Sequence, residues 1–404
     1  MMVIMAWRNI WRNKMRSIVI MLSIALGLFA GIAVLALYKG MMRNRVETVI
    51  YAEIGHLQVH DPEFKKDYEP RYIIERGPEV LKEIRAIPGV AVAGSRSITQ
   101  GMLATTTGSA GVQIQGVLPD VENRVSRLNE KLIEGAGFEK GRQNEILIGK
   151  KLSAKMKLKL RSKLVLTFTD TSGTIVSAAF RVAGIYQSNN TALDERQVFV
   201  ELTDLNGLVG TGDSFHEIVV LLHRDEDVSK TMAILKTRFP GLQIESWKEV
   251  SPETDLLVKT TDQYSYIIMI IIMIALAFGI INTMLMAILE RTREIGMMMA
   301  LGTNKLRIFI LILLETSFLT LAGVPFGLLA GVIVIGYYNK YGLDLSGMGK
   351  EMMSSFGFGT TVYPEFPYEK LVVVLLIVVG TAIISCLIPA LKALRLQPVE
   401  ALRR

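Results

Sequence analysis

The sequence predicts a membrane protein, an α-helical four-span transmembrane domain carrying a large α+β extracytoplasmic domain. Three observations lead there. Four apolar runs, Ser17–Tyr38, Ile267–Leu289, Ile308–Tyr338 and Leu371–Leu391, are each long enough to cross a bilayer, which takes about 20 apolar residues. Lys and Arg cluster beside these runs, all on one side if each run crosses once. Between the first two runs lies a segment of ordinary soluble-protein texture, with short strand-like and helix-like stretches punctuated by glycine and proline.

The 404-residue chain is 50% hydrophobic with a net charge of +7. That charge suits a nucleic-acid binder as well as a membrane protein. Its placement beside apolar runs favours the membrane and gives no nucleic-acid partner. The basic flanks are Arg8, Arg12, Lys14 and Arg16; Arg291, Arg293, Lys305 and Arg307; and Lys392, Arg395, Arg403 and Arg404. They put residues 1–16, 290–306 and 392–404 in the cytoplasm and 39–266 and 339–370 outside. The first run is too long for a signal-peptide core and no small-x-small cleavage site follows it, so it reads as a retained anchor. The lone Cys386 excludes an intrachain disulfide and reads as a buried small residue.

Residues 1–16 hold Trp7 and Trp11, and Arg8 and Arg12, each pair four apart, which suits a helix lying in the membrane interface. Span 1 (17–38) carries Gly27 and Gly31, and span 3 (307–338) carries Gly323, Gly327 and Gly331. Small residues one turn apart let helix backbones approach closely in lipid. Pro325 should bend span 3. Glu315, near the start of that span, reads as an interfacial acid paired with a local base such as Arg307, or less readily as a proton relay.

In the outer segment, strands are expected at His56–Val59, Val112–Val117, Lys163–Thr169, Ala178–Ile185, Gln197–Glu201, Glu217–His223 and Leu242–Ser246. Helices are expected at Pro78–Ile87, Val121–Leu132 and Asp227–Phe239. A faint repeat, strand–helix–IPGV from His56 and strand–helix–FPGL from His216, suggests two βαβ lobes, 39–96 and 216–262, around a β-rich insert, 97–215. The helix Ser251–Tyr266 should continue without a break into span 2 (267–289).

Enzymatic motifs are missing. Gly149-Lys150 and Gly349-Lys350 lack the rest of a phosphate loop, and no HExxH, CxxC or GxSxG occurs. On a strand, His56 and His60 would stand about 13 Å apart, too far to share a metal ion. His216 and His223 fall on opposite faces of theirs. We expect no catalytic residue, no metal and no cofactor in this chain.

Between spans 2 and 3, Ile288–Leu306 reads ILERTREIGMMMALGTNKL. A short polar helix wedged between two spans is suited to being held by another protein at the membrane surface. Asn282–Glu315 around it, the opening Ala6–Ser17 and the ending Pro389–Arg403 together resemble the FtsX/MacB/Lol-type (type VII) ABC transporter permeases, and length and layout are most like the lipoprotein-releasing LolC/LolE permeases. The resemblance implies four spans and an outer domain with a Porter-like part (39–96 and 216–262) and an inserted Sabre-like part (97–215). It also implies paired permease chains, as a homo- or heterodimer, with separate ABC ATPase subunits that bind ATP and Mg. Residues 290–306 become the coupling helix, with Arg291, Thr292, Arg293, Glu294, Ile295, Gly296, Met297 and Met298 as the ATPase-coupling set.

In that reading Arg291 and Glu294 form a charged rim, and Ile295, Met297 and Met298 an apolar core for the ATPase groove. Met21, Phe29, Met269, Met273 and Phe278 are candidates for lining a lipid cavity, or simply face lipid. The implied function is mechanotransmission that extracts lipoproteins from the bacterial inner (cytoplasmic) membrane for transfer to a periplasmic carrier. The alternatives are a MacB-like efflux permease with an adaptor and outer-membrane channel, and an FtsX-like activator of a cell-wall hydrolase. The proline-bracketed hook loop of the carrier-recruiting subunit is not recognisable here: only Pro119 lies between Pro88 and Pro240. No ATPase domain is fused to the sequence, unlike the macrolide-exporter type.

Overall fold

The structure, a computed structural model, describes residues 2–12, 14–139, 141–355 and 357–394. The tail from residue 395, including Arg395, Arg403 and Arg404 and most of the matched ending, lies outside the described residues, as does the Arg16 side chain. The chain divides into two compact units, one of residues 1–42, 258–344 and 361–404 and one of residues 43–257 and 345–360.

The first unit is a helical bundle. The N-terminal helix Met2–Arg12 is followed by the helices of span 1 (Lys14–Thr48), span 2 (Pro252–Glu290), span 3 (Lys305–Tyr341) and span 4 (Leu371–Leu394). All four span helices are long and apolar enough to cross a membrane. They extend past the apolar runs because nothing breaks the helix there: polar residues 39–48 and Pro252–Tyr266 lack internal Gly-Pro signals, apart from Gly40, and simply continue the hydrogen-bonding ladder. Residues 251–266 were expected to run into span 2, and the single helix Pro252–Glu290 covers both.

Within the bundle the glycine ridge of span 3 brings its backbone close to that of span 1. A Cβ built on Gly323 would lie 2.8 Å from the Met21 carbonyl oxygen, and one on Gly327 would lie 2.7 Å from that of Ala25. Gly331 faces Ile32 at ordinary contact distance. Gly27 receives Leu276 of span 2 at 3.0 Å, and Gly31 faces Met273 and Val374. These glycines therefore pack span 1 against spans 2, 3 and 4. Cys386 is buried in span 4, where Thr316 Oγ1 donates to its sulfur at 2.9 Å.

The second unit is built on a ten-stranded mixed sheet. Its strands are β1 (Leu57–His60), β2 (Val90–Thr105), β3 (Gly108–Val117), β4 (Leu132–Gly135), β5 (Glu145–Gly149), β6 (Lys163–Thr169), β7 (Ile175–Tyr186), β8 (Gln197–Glu201), β9 (Glu217–Leu222) and β10 (Gln243–Ser246). The spatial order is β10-β1-β9-β2-β3-β8-β5-β7-β4, with β6 pairing both β2 and β7. The two βαβ units interleave: β9 lies between β1 and β2, and β1 lies between β9 and β10, all antiparallel. This is the split βαβ arrangement. Helices Gly77–Arg85 and Val228–Arg238 cover one face, burying Leu81, Ile84 and Leu235 against Leu57, Val59, Ile218 and Val220.

The segment between the βαβ units adds strands to the same sheet but closes its own core, around Leu103, Ile114, Ile148, Leu166, Phe180 and Val200. Strand β2 joins the two: Val90–Arg96 pair with β9, and Arg96–Thr105 pair with β3. A strand was expected after the IPGV of the first repeat, but the small and polar residues on both faces of VAVAGSRSITQGMLAT gave no sign that it runs on to Thr105. One expectation is corrected. Val121–Leu132 is not a single helix; helix Pro119–Ser126 ends where Arg127 takes a left-handed conformation (φ 53°), and a 3-10 turn leads into β4.

Candidate coupling site

The connecting helix Thr292–Ala300 is set off at both ends by local chemistry. At its start Arg291 leaves helical geometry (φ −105°, ψ 14°), and the Thr292 hydroxyl donates to the carbonyls of Ile288 and Leu289, holding the bend out of span 2. At its end Gly302 takes φ +86°, the Thr303 N–H donates to the Met298 carbonyl and the Gly302 N–H to that of Met299. That pair of bonds is a Schellman motif, which needs glycine at the left-handed position. Asn304 then caps span 3 by accepting from the Leu306 N–H.

The helix turns a specific face inward. Ile295 and Gly296 are buried, Ile295 in one apolar core with Ile288 and Ile308, and Met298 and Met299 lean on that core. The Arg291 guanidinium also points inward. Its Nη1 donates to both carboxylate oxygens of Glu315, at 3.2 and 3.1 Å, and its Nε donates to Glu294 at 3.1 Å. Glu294 in turn accepts from Arg12 of the N-terminal helix. The four side chains form a relay, Arg12–Glu294–Arg291–Glu315, whose exposure falls from 52% through 40% and 14% to 6%. The outer link is solvated and contributes about 1 kcal/mol or less; the inner one is a buried pair whose halves depend on each other. Paired to Arg12, the Glu294 carboxyl is held below the usual range, and Glu294 in turn raises the Arg12 guanidinium. Beside the inner pair is a cavity of about 30 Å³, room for one water, lined in part by Met284, Ile288, Ile295 and Met298.

This geometry corrects several sequence expectations. Arg291 and Glu294 are not a free rim; both are engaged within the bundle. Ile295 belongs to the chain's own core. Glu315 pairs with Arg291, not with Arg307, which is exposed. The outward face consists of Arg293, Met297 (47% exposed), Ala300 and Leu301 (87% exposed), with Leu306 beyond the turn. Thr292 is half-buried. Leu301 and Leu306 were not singled out from sequence, and Arg12 was read only as part of the basic interfacial helix. Leu301 lies four residues after Met297, a spacing that signals a shared face, but the sequence does not say whether that face is covered.

The five lipid-cavity candidates do not share one surface of this chain. Met269 and Met273 are buried among the helices, Met21 and Phe29 are half-buried, and Phe278 is exposed. The exposed apolar side chains of spans 1 and 2 instead include Ile18, Leu22 and Leu26, and Ile267, Ile271 and Phe278. No cluster of metal-ligand type occurs among the described residues. His56 and His60 are structural: buried, with His56 beside Asp225 at 2.8 Å and His60 beside Glu245 at 3.2 Å. His216 is buried with both nitrogens used, Nδ1 accepting from the Ile98 N–H and Nε2 facing the Pro70 carbonyl.

Four membrane-length helices, a capped connecting helix after the second, and a mixed-sheet domain between the first two define a polytopic permease architecture. The comparisons place it more narrowly. Residues 17–238 match the MacB-like periplasmic core domain and residues 266–398 the FtsX-like permease C-terminal domain, and the chain belongs to the FtsX/MacB/Lol-type ABC transporter permeases. It is 23% identical over 421 residues to the lipoprotein-releasing system transmembrane protein LolC of Neisseria meningitidis serogroup B, covering 97% of this chain and 95% of that one. It is 24% identical over 364 residues to the macrolide export ATP-binding/permease protein MacB of Campylobacter jejuni, covering 84% of this chain and 54% of that one. The crystal structure of the periplasmic region of MacB from Actinobacillus actinomycetemcomitans aligns with a TM-score of 0.37 at 11% identity, covering 55% of this chain and 97% of that one.

Proposed function

We propose that this permease releases lipoproteins from the bacterial inner membrane, driven by separate ABC ATPase subunits, and hands them to a periplasmic carrier. The observation that carries the cargo assignment is the end-to-end similarity to LolC, 97% of this chain against 95% of that protein. A second reading, efflux with an adaptor and an outer-membrane channel, draws on the similarity to MacB.

The motion begins at Arg293, Met297, Ala300 and Leu301, which present an apolar patch with a charged edge to an ATPase groove. Methionine suits a groove that changes shape. A push on this face moves the connecting helix, which Ile295 and the Arg291–Glu315 pair tie to span 3 and Glu294 ties to the N-terminal helix. The glycine contacts pass the displacement to span 1. The unbroken helix Pro252–Glu290 carries it toward the outer domain. ATP and Mg belong to the partner subunit in this scheme. Two permease chains pair, and the acyl chains of the cargo lie along the exposed faces of spans 1 and 2, not against Met269 or Met273.

The test is purification of the native complex from wild type and from the double variant Met297→Asp, Leu301→Asp. Wild type should retain an ATPase and a triacylated lipoprotein; the variant should keep its fold and bind the ATPase about tenfold or more weakly, as loss of a central apolar contact implies. An adaptor in place of the lipoprotein would establish efflux. Undiminished ATPase binding by the variant would refute the docking face.

A further inference from the structure

We infer that the outer domain binds a small organic amine, of diamine to polyamine length, in a polar cleft on the sheet face opposite the helices Gly77–Arg85 and Val228–Arg238. The register places Glu245 opposite Gln58, Glu217 opposite Arg96, Ile98 opposite Gln115 and Gln113 beside Gln197. Side chains alternate along each strand, so these residues share one face across β10, β1, β9, β2, β3 and β8. A sheet face at this depth is ordinarily apolar; here polar groups line a cleft of about 230 Å³.

Most of those groups are already satisfied. Glu53 pairs with Arg45 at 3.1 Å, Glu245 with Lys65 at 2.6 Å, and Glu249 accepts from the Ser246 N–H at 2.7 Å. Arg96 is directed elsewhere: Nε and Nη2 grip Glu122 at 3.0 and 2.7 Å, and Nη1 donates to the Glu53 carbonyl at 3.1 Å. Two groups stand apart. The buried carboxylate of Glu217 comes no nearer than 3.7 Å to Arg96, and among the described residues no donor is hydrogen-bonded to it. The Gln115 side chain is 7% exposed, and its Oε1 is buried without any partner.

Both unfilled positions are acceptors and one is charged. A buried carbonyl without a donor is destabilising, and a buried carboxylate that must share its nearest cation with another carboxylate is more so. The ligand that satisfies both carries N–H donors and positive charge. A hard metal ion would need several more oxygen ligands than one carboxylate and one amide supply. A neutral sugar would leave Glu217 with only the 3.7 Å contact to Arg96, a cation it shares with Glu122. An aliphatic ammonium supplies the charge and up to three donors, and its carbon chain can lie along Ile54, Ile98 and Leu193 at the cleft wall.

The inference is independent of the cargo assignment, and its test uses the full chain in detergent. Putrescine is titrated calorimetrically at constant ionic strength, with glucose and magnesium chloride as comparisons. Saturable one-to-one binding of putrescine is expected, weakened about tenfold or more by Glu217→Gln, since a charge-assisted hydrogen bond is lost. Should that variant fail to fold, Gln115→Glu, which places a second carboxylate at the unfilled acceptor, should tighten binding by about tenfold. No saturable binding, equal binding of glucose or magnesium, or binding unchanged by these variants would overturn the inference.

Discussion

The inner half of the ionic relay yields a quantitative prediction. Replacing Arg291 with Met keeps the length and apolar stem of the side chain but removes the guanidinium that pairs with the buried Glu315. Breaking a buried pair from one side costs about 3–5 kcal/mol. Replacing both ends, Arg291→Met with Glu315→Leu, removes the buried carboxylate together with its guanidinium and should return stability to within about 1–2 kcal/mol of wild type. The double-mutant cycle should therefore show a coupling of about 2–4 kcal/mol, well above the additivity error of about 0.5 kcal/mol. The same cycle on Arg12 and Glu294, whose side chains are both substantially solvated, should give about 1 kcal/mol or less and weaken with salt. The assay is reversible denaturation of the chain in mixed micelles, read alongside ATPase association. If the loss in the double variant equals the sum of the losses in Arg291→Met and Glu315→Leu, the two charges are not coupled. If Arg291→Met leaves stability unchanged but abolishes ATPase association, the guanidinium belongs to the docking face and the relay is wrong.

Two further predictions concern packing and pH. Gly327→Ala places a methyl 2.7 Å from the Ala25 carbonyl and should cost about 1–3 kcal/mol in the same assay, whereas Gly336→Ala, with nothing within 4 Å, should be neutral or slightly stabilising; equal effects would show that the glycine ridge is not a contact. In the outer domain, burial holds the His216 imidazole down at about 4 and pushes the Asp194 carboxyl up to about 6. The His216 contribution is present above about pH 6.5 and is lost as pH falls through 4. The Asp194 contribution runs the other way, present below about pH 4 and lost as pH rises through 6, each about 2–3 kcal/mol. The two offset each other between pH 4 and 6. Asp194→Asn removes one of them, so the variant should lose about 2–3 kcal/mol between pH 6.5 and 4 where wild type stays nearly flat; denaturant midpoints at pH 7 and 4.5 measure it, and a flat variant would refute the assignment.

The features legible in the sequence are those that local chemistry decides. Span helices follow from uninterrupted apolar runs in which only a helix can satisfy the backbone within lipid. Strands β6 and β8 have the expected limits, Lys163–Thr169 and Gln197–Glu201, because alternation or a short apolar run bounded by turn residues is a local signal. The Gly-Thr-Asn turn ends one helix and caps the next by bonds that reach only a few residues. The repeat of two strand–helix units was also visible, since each unit carries its own pattern.

What depends on distant partners was not. Periodicity puts Arg291, Glu294, Ile295 and Met298 on one side of a helix but does not say whether that side meets another protein or the chain's own core. Only Glu315, 24 residues on, and Arg12, 282 residues before Glu294, turn that side inward and leave Arg293, Met297 and Leu301 outside. The interleaving of β1, β9, β2 and β10 and the sharing of β2 between two cores are likewise choices of long-range pairing. By itself, then, the sequence determined the spans, the connecting helix and its family. The tertiary structure decided which face of that helix is offered to a partner, because a charged side chain near the membrane surface goes where its counter-charge is buried, and the counter-charge is brought there by the packing of other helices.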